Sequence, residues 1–204
     1  MIVKSRRALR DADSTTFTND EIADLIGQGI DEIGGFFPAE LVEPITILAG
    51  TYSYDIPEGM DSIFRVDVYN DDGTFRCVLP EAEGAGINGG YQLHAGIIFL
   101  PQWGTWAADM RLEVWGYGPW TYVDSASAST DTTNLPEGAL QALYVFVQVE
   151  AFHRLAVDRA KFLQWQATPG NTDVSAIALA SIAREQERRW TDQQARLRKL
   201  RRNN

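Results

Sequence analysis

Gly84-Ala85-Gly86-Ile87-Asn88-Gly89 spells G-x-G-x-x-G. At that spacing glycines let a pyrophosphate approach the backbone, provided that a helix follows and turns its N-terminus toward the anion. Here Tyr91 to Leu100 follows and reads as strand, while Glu81 and Glu83 would repel phosphate. A glycine loop between strands is the better reading. His94 and His153 are the only histidines, and no carboxylate or thiol stands near either at metal-ligand spacing. Cys77 is the single cysteine and falls on the apolar side of an alternating stretch, which suits packing rather than nucleophilic use. Asn70-Asp71-Asp72-Gly73 lacks the further ligands of a calcium loop and reads as a hairpin turn. G-x-S-x-G, P-loop and Cys/His signatures are absent from the sequence. No catalytic residue, metal ligand or cofactor is assigned, and the expectation is a non-enzymatic protein.

Two other residue groups suit binding. Trp103, Trp106, Trp115, Tyr117, Trp120 and Tyr122 crowd one part of the chain. Trp and Tyr are enriched at protein interfaces, and their rings also stack on sugars. The second group is the basic C-terminal stretch with Arg188, Arg189, Trp190, Arg196, Leu197, Arg198, Lys199, Leu200, Arg201 and Arg202. It reads either as a solvated helix end or as a docking element, with the apolar residues as anchors and the cations pairing with a partner's acids.

The elements that must position these groups follow from periodicity. Thr18 and Glu21 have capping-box spacing, and Ile22, Leu25, Ile26, Ile30 and Ile33 form the apolar stripe of a helix over 18–33 that Gly34-Gly35 should end. From about 45 to 122 the period becomes two. Phe64, Val66 and Val68 alternate with Arg65, Asp67 and Tyr69, and five to seven short strands suggest a small antiparallel barrel or sandwich. Residues 124–134 are small and polar and read as a linker. Residues 136–166 are the longest apolar helical pattern, with Leu140, Leu143, Tyr144, Val147, Ala151 and Leu155 on one face. A last helix over about 172–200 has a thin seam of Leu179, Ile182, Trp190, Leu197 and Leu200, so part of it should project from the body. Pairs Glu150–Arg154, Glu185–Arg189 and Asp192–Arg196 are spaced to bond along these helices. The expected class is α+β: a helical bundle from 1–43 and 124–204, with an antiparallel β-barrel or sandwich inserted at 44–123.

The chain has 204 residues and a formal net charge of −10. The charge is uneven. Residues 1–10 hold four bases and no acid, and 184–204 hold eight bases against three acids. Residues 11–183 carry six bases and 25 acids, a net of −19. An acidic body argues against a surface that grips nucleic acid. The basic ends suit something acidic, including another copy of the same body. One cysteine permits no intrachain disulfide. Residues 1–14 have no apolar core of a secretory signal, and no run reaches 18 apolar residues, so neither export nor a membrane span is expected.

Taken together, TFTNDEIADLIGQGIDEIG, TYSYDIPEGMDSIFRVDVYNDDG, RLEVWGYGPW, the polar linker, NLPEGALQALYVFVQVEAFHRLAVDRAKFLQW and the basic last helix resemble the head-to-tail adaptor (connector) proteins of tailed bacteriophages. The likeness spans nearly the whole chain in element order and does not extend to the Gly/Trp-rich stretch 84–106. It implies a non-enzymatic virion protein of the neck, assembled in the host cytoplasm. It further implies a homo-oligomeric ring, commonly of twelve copies, docked beneath the portal protein and joining capsid to tail. The ten C-terminal residues named above would dock the portal. Trp115, Tyr117 and Trp120 would meet a downstream neck or tail protein. DNA would pass through an acidic lumen without specific binding. The alternative is a binding module whose aromatic β-face holds a glycan or peptide. A third possibility, a small enzyme using the glycine loop, would show itself by stabilisation with a nucleotide.

Overall fold

A computed structural model describes residues 1–11, 15–82, 89–101, 106–123 and 132–203. The chain forms two compact units: Met1–Pro38 with Trp120–Asn204, and the inserted Ala39–Pro119. The class is α+β.

In the helical unit, α1 (Ile2–Leu9), α2 (Asn19–Phe36), α3 (Glu137–Val157), α4 (Arg159–Gln166) and α5 (Ala176–Asn203) share one core. Ile22, Leu25, Ile26, Ile30 and Ile33 of α2 are buried against Ala139, Ala142, Leu143 and Val147 of α3. Each such buried Ile, Leu or Val side chain contributes roughly 1.5–3 kcal/mol. The capping box at Thr18 is formed: its hydroxyl accepts from the Glu21 N–H, and Glu21 reaches back to the Thr18 N–H at 2.9 Å. The helix does not stop at Gly34-Gly35. It runs on to Phe36, whose ring meets Trp190, so packing overrides the weak helix propensity of glycine.

The pattern read as one helix over 136–166 is two. Asp158 leaves helical geometry at φ −96°, ψ 100°, and its carboxylate accepts from the N–H groups of Ala160 and Lys161, capping α4 as α3 ends. Trp165 of α4 is then buried, and its indole N–H donates to Leu9 O at 2.8 Å. The short α1, not foreseen from the basic N-terminus, is held by a buried ion pair between Arg6 and Asp11 at 3.0 Å. Asp11 also accepts from the N–H groups of Thr16 and Phe17.

The inserted unit has β1 (Ala39–Thr46), β2 (Ser53–Asp55), β3 (Ser62–Tyr69), β4 (Phe75–Leu79), β5 (Gln92–His94), β6 (Ile97–Phe99) and β7 (Arg111–Gly118). They make two open antiparallel sheets, β1-β7-β3-β4 and β2-β6-β5, not a closed barrel. The barrel expectation fails because β1 and β4 remain edges. Pro44, which cannot donate to a ladder, is tolerated on edge strand β1. One apolar core contains Val66, Val68, Leu112 and Val114 together with Ile98 and Leu100. Cys77 packs against it. The β3–β4 turn is the Asn70–Gly73 hairpin, with Gly73 at φ +79°. This unit begins at Ala39 rather than 44, because β1 already pairs with β7 there.

Of the expected linker 124–134, residues 132–133 form β9 (Thr132–Thr133), paired with β8 (Tyr122–Val123). Residues 124–131 of that linker lie outside the described residues. So do Gly84 to Asn88 of the glycine loop, and Trp103.

Candidate functional site

Helix α5 begins at Ala176, with the Ser175 hydroxyl accepting from the Ala178 N–H, and continues to Asn203. At 1.5 Å per residue its 28 residues span about 42 Å. Leu179, Ala183 and Leu197 are buried in the helical core, with Ile182 and Trp190 packed against it. The seam is therefore used within the chain as far as Leu197, and the expected projection is confined to the last turn or so. Trp190 lies edge-on between Phe36, at 6.0 Å, and Phe146, at 5.2 Å. Arg198 stands over the Phe36 ring at 5.4 Å. These contacts take Leu197 into the core and leave Trp190 partly buried against it.

The described cations of α5 face outward. Arg188, Arg189, Arg196, Arg198, Lys199 and Arg201 are exposed, and Leu200 keeps 42% of its surface. Arg202 lies in α5, its side chain outside the described part. Glu185 bonds both Arg188, at 2.9 Å, and Arg189, at 3.1 Å, and those two bonds hold its carboxyl below the usual carboxylate range. No ion pair joins Asp192 to Arg196, or Glu150 to Arg154, among the described residues. Glu187 instead bonds His153 of α3 at 2.6 Å, tying the two helices together.

In the inserted unit, the outward row of β7 is Arg111, Glu113, Trp115 and Tyr117. A bulge in β3 between Ile63 and Arg65 sets its neighbours. The extra residue turns Phe64 outward, to the side opposite Val66, against the strict alternation expected. Phe64 packs on Tyr117 at 4.7 Å, and Arg65 stands over Trp115 at 5.6 Å while bonding the buried Asp67 at 2.7 Å. Arg111 bonds Glu113 at 2.9 Å and lies over Tyr69 at 5.0 Å. A hydrogen bond to Glu113, then partial burial, raise the Tyr69 phenol above its ordinary range. Val42, Phe64, Phe75 and Val78 remain between 41% and 54% exposed. The face is thus aromatic and apolar, with Arg65–Asp67 and Arg111–Glu113 paired within it and exposed Glu40 opposite Tyr117 at its edge. Arg65 occupies a ring face of Trp115 that a stacked sugar would need, whereas Trp, Tyr and Arg together suit a protein partner.

Trp120 does not belong to this face. It lies in the helical unit, stacked on Phe37 at 5.9 Å, and its indole N–H donates to Phe37 O at 2.5 Å. Sequence proximity placed it with Trp115 and Tyr117; the chain leaves the sheet between them.

A hollow of about 420 Å³, unforeseen from the sequence, sits at the α3–α4 elbow and is lined by Glu21, His153, Arg154, Val157, Asp158 and Lys161. Lys161 bonds Glu21, and Asp158 is occupied in capping α4. Among the described residues no group of three or more His, Cys, Asp or Glu side chains could hold a metal ion. No helix among them is long and apolar enough to cross a membrane. No protein-family model matches the chain, and no curated protein is similar to it.

Proposed function

We propose that the chain is a head-to-tail adaptor of a tailed bacteriophage. In this reading it is a non-enzymatic virion protein that assembles as a ring, commonly of twelve copies, beneath the portal protein. It joins capsid to tail in the neck and lines part of the DNA channel. The observation that carries the reading is the end of α5: a cationic, solvent-facing helix terminus on an otherwise acidic chain, held in place by packing through Leu197. Such an end offers charge-assisted bonds to an acidic portal surface without the cost of ordering a free tail. Docking falls chiefly to Arg198, Lys199, Leu200, Arg201 and Arg202. Trp115 and Tyr117, with Phe64 beside them, meet the next neck or tail protein. The acidic stretch 11–183 repels the DNA phosphates, so DNA slides past without specific binding.

Native mass spectrometry of the protein with and without the portal of the same phage tests this. A defined ring on the portal, lost in Lys199→Glu/Arg202→Glu with its folding intact, supports the reading. A chain that ignores the portal overturns it.

A further inference from the structure

The helical unit carries two unpartnered helix faces of opposite sign. On α2, Asp20, Asp24 and Asp31 are exposed at steps of four and seven, which places them on one line, with Glu32 beside it. None of the four makes an ion pair among the described residues. On α5, Arg184, Arg188 and Arg196 are exposed at steps of four and eight. Arg188 shares Glu185 with Arg189, whereas Arg184 and Arg196 meet no carboxylate among the described residues. Asp192 is an acid on the same side, and the three arginines outnumber it. The two rows are also of similar length: Asp20 to Asp31 rises about 17 Å and Arg184 to Arg196 about 18 Å. Within one chain they do not meet. The α2–α5 contact is made by Phe36 with Trp190 and Arg198, and no ion pair joins the helices among the described residues.

We propose that these faces are the two halves of a contact between copies of this chain, the arginine row of α5 in one copy lying on the aspartate row of α2 in the next. Charge complementarity selects a second copy as the occupant: the sequence supplies both the acidic row and its cationic counterpart, matched in length. Because the two halves are different surfaces, the contact is heterologous. It propagates from copy to copy and closes into a ring when the rotation permits. The inference rests on the ring of the adaptor reading and names the surfaces that build it. It leaves the tip of α5 beyond Leu197 for the portal.

Sedimentation velocity of the full chain alone tests the contact, at about 20 mM and about 500 mM salt, a range over which screening shortens the reach of surface charges several-fold. The expected result is self-association at low salt that weakens at least about tenfold at high salt. Asp24→Lys/Asp31→Lys and Arg184→Glu/Arg196→Glu should each weaken it about tenfold, and the chain carrying all four reversals should recover to within about threefold. Asp24→Asn/Asp31→Asn provides a milder form, and circular dichroism checks each fold. A chain that stays monomeric at low salt overturns the proposal. So does association indifferent to the reversals, or a four-reversal chain no better than the two doubles. The experiment contains no portal, so it can fail while portal docking stands, and portal docking can fail while it succeeds.

Discussion

Trp190 of α5 meets Phe146 of α3 edge to ring, with centroids 5.2 Å apart and planes at 65°. A residue that reads as an exposed docking anchor is therefore part of what holds α5 on the body. Trp190→Ala should lower unfolding stability by about 1.5–3 kcal/mol, less than emptying a fully buried aromatic site, because Trp190 is only partly buried. Lys199→Glu should change it by under about 0.5 kcal/mol. Urea denaturation of the two variants separates a structural Trp190 from a merely exposed one.

Asp11 is the hub of the α1–α2 connection. It receives Arg6 and the N–H groups of Thr16 and Phe17 while fully buried. Asp11→Ala leaves a buried guanidinium and two N–H groups without their acceptor, and should cost about 3–5 kcal/mol. Loss of the α1 amides' protection in hydrogen exchange would locate the damage.

Two glycines of α2 should respond in opposite directions. A Cβ at Gly27 meets nothing within 4 Å, so Gly27→Ala should stabilise by roughly 0.5–1 kcal/mol through helix propensity. A Cβ at Gly29 would lie 2.5 Å from Leu143 Cδ1 and 2.7 Å from Phe146 Cδ1, so Gly29→Ala should destabilise by about 1–3 kcal/mol. Equal shifts in melting temperature would contradict the close α2–α3 approach.

Glu21 makes stability depend on acid. Burial pushes its carboxyl up, but bonds from Lys161 and Thr18 and the charge of Lys161 outweigh this and hold it below the ordinary value. A depressed carboxylate contributes stability that is fully present above its unfolded pKa, about 4.3, and is lost as pH falls through the lower folded one. Glu21→Gln should therefore flatten the loss of melting temperature below about pH 4.3 and leave the shape of the profile above pH 6 unchanged. An unaltered acid limb would show that Glu21 contributes nothing to it.

What could be read from sequence was what is local. Thr18 and Glu21 announce the start of α2 because both partners of the cap lie within one turn. Asn70 to Gly73 announces its hairpin for the same reason. The misses are tertiary. The apolar pattern runs unbroken through Asp158, and only the local geometry reveals that this residue caps a second helix. Phe64 alternates correctly with Arg65, yet a one-residue bulge puts both on the same side. The cations of α5 were legible as a group. So was its inward seam through Leu179, Ile182, Trp190 and Leu197; that Trp190 serves the chain's own body rather than a partner depends on Phe36 and Phe146 arriving beside it, which nothing within α5 encodes.

The strands that lead into and out of the inserted unit are direct partners: Ala39 stands opposite Gly118 across the β1–β7 ladder. Just outside them, Phe37 and Trp120 are stacked and hydrogen-bonded to each other in the helical unit. The helical scaffold thus presents two closely spaced attachment points, and whatever is strung between them need only begin and end side by side. The sheets are in this sense a removable cassette. A short loop joining Pro38 to Trp120, or a different hairpin-ended domain grafted there, should leave the described helices folded, as circular dichroism of the loop-joined chain would check. One helical body can carry different heads without being redesigned.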